Sequence, residues 1–259
     1  MRGAPRRALL LIAAGFASPP AAAFRLDDHR ALSERAVALE PSVGACAAGI
    51  TQGSVTEDLD LIAKWGRYSH YYRPVGPVDA GHRVTSEVRL AALWAEIEAA
   101  LAAGEAAPCD TIGRALHHIQ DMASPPHVLP VTHSLTDRFE GRSHEPAIAA
   151  AELLPVPELA HPLQIHHALA LSTWTAVSEP PWSTIWVGGE GDDFGAYGPD
   201  GDRFDDPSLD WPFDAFAQAR INEGLVASRA FLRLVGARMA APAGGADGED
   251  GPARSAPAR

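Results

Sequence analysis

Apolar residues along this chain recur at spacings of three and four far more often than two, so the pattern predicts helices almost throughout. Leu32, Ala36 and Leu39 share one face of a helix over about 29–39, and Asp27-Asp28 can cap it. Ser54-Val55-Thr56-Glu57 has capping-box spacing ahead of a helix reaching about Trp65. Thr85 opens another, in which Leu90, Leu93, Trp94, Ile97 and Leu101 form an apolar stripe and Gly104 marks the stop. Asp110 or Thr111 starts the next, carrying Ile112, Ala115, Leu116 and Ile119 until Pro125-Pro126 ends it. Further helices are expected over about 137–154, 162–177 and 214–239. The expected fold is all-α, a compact multi-helix single domain over residues 24–239.

Three segments fall outside this pattern. Residues 178–212 scatter Trp182, Trp186 and Trp211 among Gly, Pro and Asp, and read as a long loop. Residues 240–259 are Ala, Gly and Pro with scattered charge, the composition of a disordered tail. At the other end, Arg2, Arg6 and Arg7 precede an apolar run over 8–17, and Ala21-Ala22-Ala23 offers a cleavage point. That is a secretory signal peptide over 1–23. The run is about half the roughly 20 residues that span a bilayer. An exported protein, periplasmic or extracellular, is expected. In that compartment Cys46 and Cys109 can pair; two buried free thiols are the alternative.

Of the 259 residues, 46% are hydrophobic and 21% charged, which excludes a disordered chain and a multi-span membrane protein. Lys and Arg number 21 against 33 Asp and Glu, a net charge of −12; losing the three leader arginines takes it to −15. A field of that sign repels phosphate polyanions. No stable nucleic-acid partner is expected, and any attraction for phosphate must have a local source such as a metal.

The eleven histidines matter through their arrangement. His117 and Asp121 stand four apart on a predicted helix, so both side chains leave one face and can reach one metal. His127 follows just past the proline pair, and His133 with Asp137 repeats the four-residue spacing. Upstream, His70 sits in Ser69-His70-Tyr71-Tyr72-Arg73-Pro74, after the acidic pair Glu57-Asp58. His29 lies five residues beyond Phe24, the new N-terminus after cleavage. Its α-amino group, with an ordinary pKa of about 7.7–8.0, can lose a proton to a metal at modest cost. His118, about 100° around the helix from His117, reads as packing or support. His82, His144 and His161 read as surface residues, and His166-His167 as a core or solvated pair. Tyr68, Tyr71 and Tyr72 either line a cleft near His70 or pack there.

The run Ala115-Leu116-His117-His118-Ile119-Gln120-Asp121, continuing to Pro126-His127, resembles the A-L-H-x-x-x-D and P-x-H motifs of the zinc-dependent phospholipases C. That family is related to the fungal single-strand nucleases. Ser69-His70-Tyr71-Tyr72-Arg73-Pro74 is similar to its S-H-F-Y-D-P. The resemblance implies an all-α domain with three zinc ions between helices. One zinc would be held by Asp58, His70, His117 and Asp121. A second would take His127, His133 and Asp137. The third would take the amino group and carbonyl of Phe24, with His29 and a bridging oxygen of Asp121. Asp58 would also orient the attacking water or accept its proton. Two alternatives stay open: Glu57 in place of Asp58, and Glu140 in place of Asp137. Phe24 stands where the family usually has Trp, and Arg73 where it often has Asp.

The implied activity is release of phospholipid head groups by a zinc-activated water, with the substrate phospholipid or another phosphodiester. Contact with a membrane surface would be transient and the protein a monomer. Single-strand nuclease or nucleotidase chemistry is the alternative within the same superfamily, and a zinc-binding helical protein without turnover the alternative outside it.

Overall fold

A computed structural model describes residues 25–60, 70–75, 85–131, 138–189, 195–198 and 210–241. Phe24, His133, Asp137, the leader and the tail beyond 241 lie outside the described residues, as do Trp65, Tyr68 and His82.

The fold is all-α. Among the described residues are nine α-helices: α1 (Leu26–Leu39), α2 (Ala47–Leu59), α3 (Ser86–Ala102), α4 (Cys109–Asp121), α5 (Pro125–Val128), α6 (Arg138–Gly141), α7 (Glu145–Ala150), α8 (Pro162–Val177) and α9 (Asp210–Ala240). The described β-structure is a two-stranded antiparallel ribbon, β1 (Trp186–Val187) with β2 (Ala196–Tyr197), and one isolated bridge. This ribbon lies inside the segment expected to be loop.

Several boundaries differ from the sequence reading. α1 starts at Leu26, so Asp27 and Asp28 occupy its first turn instead of capping it. α2 starts at Ala47, which places Ser54 inside the helix, where its hydroxyl bonds back to the Thr51 carbonyl. Capping-box spacing is therefore fortuitous there: an interior serine satisfies itself locally without ending the helix. The stretch expected as one helix over 137–154 is two short ones, broken before Pro146. Pro162–Val177 agrees with the expected 162–177.

α4 is the axis of the molecule. Residues 115–129 are all buried, so each polar side chain among them must find a partner inside the protein. α2 lies against α4 at unusually short range. A Cβ on Gly53 would fall 2.1 Å from the Asp110 carbonyl oxygen, and one on Gly113 would fall 2.1 Å from that of Ile50. The Cys46–Cys109 disulfide closes the same seam at the start of both helices. Such a bond suits an oxidising compartment, and no helix among the described residues is long and apolar enough to cross a membrane.

α1, α3, α8 and α9 pack around this pair. Leu90, Leu93, Trp94 and Ile97 of α3 are buried as the stripe required, in one core with Leu32, Leu116, Ile119 and Phe231. Glu40, just past α1, accepts from Arg229 and Arg233 and ties α9 to that corner.

Candidate metal centre

α4 ends at Asp121, and Pro125-Pro126 opens α5 at its first two positions, where a missing N–H costs nothing. The chain turns sharply there and brings His127 back beside Asp121. α2 delivers Asp58 from its last turn, α1 delivers His29, and the extended segment 70–75 delivers His70. All six side chains are buried; Asp121 and His117 have no exposed surface.

Their polar atoms converge. His70 Nδ1 lies 2.8 Å from Asp121 Oδ2 and 3.0 Å from His117 Nε2. His117 Nε2 is 3.3 Å from Asp121 Oδ2 and 3.8 Å from Asp58 Oδ1, and Asp58 Oδ1 is 3.9 Å from His70 Nδ1. Asp121 offers its other oxygen to His29 Nε2 at 3.4 Å, while His127 Nδ1 stands 3.8 Å from Oδ2. Donors 2.0–2.1 Å from one zinc sit about 3.3 Å apart in a tetrahedron, so these edges need little adjustment. His29, Asp58 and His117 form one group of donor atoms mutually within 4.8 Å, and His70, His118 and Asp121 form another. Two buried His/Asp clusters able to hold metal ions therefore share one core.

The outer nitrogens sharpen this conclusion. His117 Nδ1 is 2.7 Å from the Ser54 carbonyl oxygen, His127 Nδ1 is 2.7 Å from that of His70, and His29 Nδ1 is 2.8 Å from Gln120 Oε1. Those oxygens only accept, so Nδ1 carries the hydrogen in all three rings. In the neutral rings, each Nε2 then turns a lone pair toward a carboxylate: Asp121 and Asp58 for His117, Glu140 for His127, Asp121 for His29. Lone pair against lone pair in a buried site repels unless a cation stands between. Asp121 Oδ1, with no hydrogen-bond partner, fits the same need. The residues fit a divalent metal.

Without metal a proton takes that place. Burial alone would lower His117, but the Asp121 and Asp58 carboxylates outweigh it and raise the group to about 9. Burial likewise opposes His127, yet Asp121 and Glu140 raise it to about 9. Burial dominates at His70 and pushes it down to about 4. Asp121 is held far below the carboxylate range despite its burial, by His117 and His127.

Around the cluster lies a supporting layer. Glu57, the alternative to Asp58, is buried and accepts from Arg89 through two nitrogens, from Arg114 and from His118. Those donors make it an anchor for the end of α2, whereas Asp58 is the carboxylate grouped with His29 and His117. His118, although grouped with His70 and Asp121, already has a partner at each nitrogen, Glu57 and Ser86 Oγ. Ser86, His118 and Glu57 stand in the order of a hydrolytic triad, but Ser86 is fully buried and shared with His166 Nε2, which leaves it no access to substrate.

Glu140 is the alternative to Asp137 as the carboxylate of the second metal position. Its Oε1 lies 3.0 Å from His127 Nε2 and accepts from Ser124 Oγ at 2.7 Å. Phe139, buried among Trp186, Phe213 and Phe216, fixes its backbone. His144, expected at the surface, is instead buried: its backbone N–H donates to Asp28 Oδ1 and its Nε2 faces the Phe139 carbonyl at 3.0 Å. Periodicity carries no sign of this, because 138–150 is too short and broken to show a face. Tyr71 stacks on His127 at 5.5 Å between centroids and is half-buried; Tyr72 is core.

The chain matches no protein-family model and no curated protein.

Proposed function

We propose that the protein is an exported zinc-dependent phosphodiesterase of the phospholipase C type. The observation that carries this reading is the convergence of His29, His70, His117 and His127 on the buried Asp121 carboxylate, with Asp58 beside them. Imidazole and carboxylate without thiolate suit zinc. When bound, zinc stabilises phosphoryl charge, activates water and steadies the leaving alkoxide.

The chain's own residues divide the remaining work. Asp121 reaches histidines through both oxygens and fixes the spacing of neighbouring positions. Asp58 Oδ1 sits at the long edges of the cluster, 3.8 Å from His117 Nε2 and 3.9 Å from His70 Nδ1. That suits it to orient the attacking water and take its proton. Tyr71, half-buried and stacked on His127, is the aromatic side chain nearest the cluster that could contact substrate. The resemblance to phospholipases C, rather than the geometry, selects the head-group reaction and the count of three zincs, with Phe24, His133 and Asp137 completing the shells.

The test is metal analysis of purified protein together with hydrolysis of a phosphatidylcholine emulsion, single-stranded DNA and a chromogenic phosphodiester, each with and without chelator. Zinc near three equivalents and chelator-sensitive lipid hydrolysis are expected. Cleavage of DNA instead would move the protein to the nuclease branch, and bound zinc without any turnover would make it a binding protein. Asp121→Asn should lose more than one zinc and at least about a hundredfold in rate, roughly 2.7 kcal/mol of transition-state stabilisation. Wild-type activity in that variant would refute the bridging role.

A further inference from the structure

Gln120 stands on α4 between His117 and Asp121, a fully buried amide outside every expected ligand set. Its Oε1 lies 2.8 Å from His29 Nδ1, and its Nε2 donates to Ser33 Oγ at 3.0 Å. His29 and Ser33 are one turn apart on α1, so the amide grips the inner face of that helix at two successive turns.

The orientation of this amide has a chemical consequence. With the carboxamide oxygen toward His29, Nδ1 carries the hydrogen and the lone pair of the neutral ring lies on Nε2, 3.4 Å from Asp121 Oδ1. With the amide reversed, its NH2 would donate to Nδ1 and Nε2 would carry the hydrogen. His29 would then be a donor to Asp121 and could not bind a metal. The ring plane is already set by stacking on His117, at 4.1 Å between centroids and 26° between planes. The tautomer is the freedom that remains. Asp121 Oδ1 faces Nε2 of that ring inside the core, where both groups are buried.

We propose that Gln120 is a positioning residue that locks His29 in its Nδ1–H tautomer and thereby makes the edge between His29 and Asp121 competent to bind a divalent metal. The inference rests on reading the cluster as a metal site. It explains why a neutral, long amide occupies a position squeezed between two ligands: an apolar residue would leave Nδ1–H without an acceptor in a dry core. Losing a partner of this kind commonly weakens metal binding 10- to 100-fold.

Long-range 1H–15N correlation spectra of the wild-type protein, labelled at histidine, read the tautomer directly. A protonated Nδ1 on His29 is expected, and a protonated Nε2 would overturn the proposal without any variant being made. Zn2+ binding, measured by competition with a chromogenic chelator, gives the second readout. Gln120→Met, close in volume but without an acceptor, should weaken one zinc position at least about tenfold, whereas Gln120→Glu, which keeps the accepting oxygen, should hold wild-type stoichiometry. Equal zinc affinity in Gln120→Met and wild type would overturn the inference and leave the metal reading standing. A wild-type protein that binds no zinc would overturn the metal reading and this inference with it.

Discussion

His29, His117 and His127 come from three different helices, yet each spends Nδ1 on an accepting oxygen and turns Nε2 inward. Beside them Asp28 behaves differently. One oxygen accepts from the His144 N–H while the other is buried without a partner, and burial pushes the carboxyl up to about 6 despite that bond. A carboxyl whose folded pKa exceeds its unfolded one favours the protonated fold, so stability from it is present below about 4 and lost as pH rises through 6. Asp28→Asn keeps an accepting oxygen for His144 and removes the charge. The variant should gain up to about 3 kcal/mol at pH 7 and lose the difference from wild type below pH 4, measured by urea unfolding across that range. His117, Asp121 and the turn to His127 could be read from the chain, because i, i+4 spacing and a proline pair constrain geometry within one helical turn. Gln120, His144 and the standing of Glu140 could not, since their partners lie 91, 116 and 16 residues away.

α2 and α4 form the platform that sets the distance between Asp58 and His117. Their contact at Gly53 and Gly113 admits no side chain: the obstructing atoms are backbone carbonyl oxygens, which cannot rotate away. Gly53→Ala should therefore push the helices apart, destabilise the fold by about 3 kcal/mol or more and weaken zinc binding along with it. Thermal unfolding and zinc titration of the same sample check both, and a variant with wild-type values would show that the seam does not govern the site. The apolar stripe of α3 and the span of α8 were recoverable from periodicity, being long and bounded by Gly104 and Pro162. The start of α2 was not. Residues 47–53 carry Ala, Gly, Thr and Gln with a single strongly apolar residue, Ile50, and become helical through packing on α4.

On the scale of the whole molecule, a chain of net charge −12 collects carboxylates in its own core. Arginines meet Glu40 and Glu57, while Asp121 is met by imidazoles, which can carry protons or bind metal. In metal-free protein, His117 and His127 are raised from an ordinary 6.5 to about 9, so the stability they contribute is present below 6.5 and lost as pH rises through 9. On the proposed reading, a bound zinc would replace those protons and remove that loss. Chelation should therefore lower Tm more at pH 9 than at pH 6, and restored zinc should recover it. Each site filled at a hundredfold excess over its Kd contributes about 2.7 kcal/mol. Calorimetry at the two pH values, with and without chelator, is the measurement; a chelator effect that shrinks as pH rises would contradict the exchange of protons for metal.

The order of helices, their apolar faces and the His117/Asp121 pair follow from the linear chain, because they depend on neighbours within four residues. Whether distant side chains face one another does not. The closeness of α2 to α4, the lone pairs turned inward by Ser54, His70 and Gln120, and the placement of Glu140 against His127 arise when helices far apart in the chain pack at fixed distances and angles. Such contacts depend on the shape of the packed interior, which no local periodicity encodes.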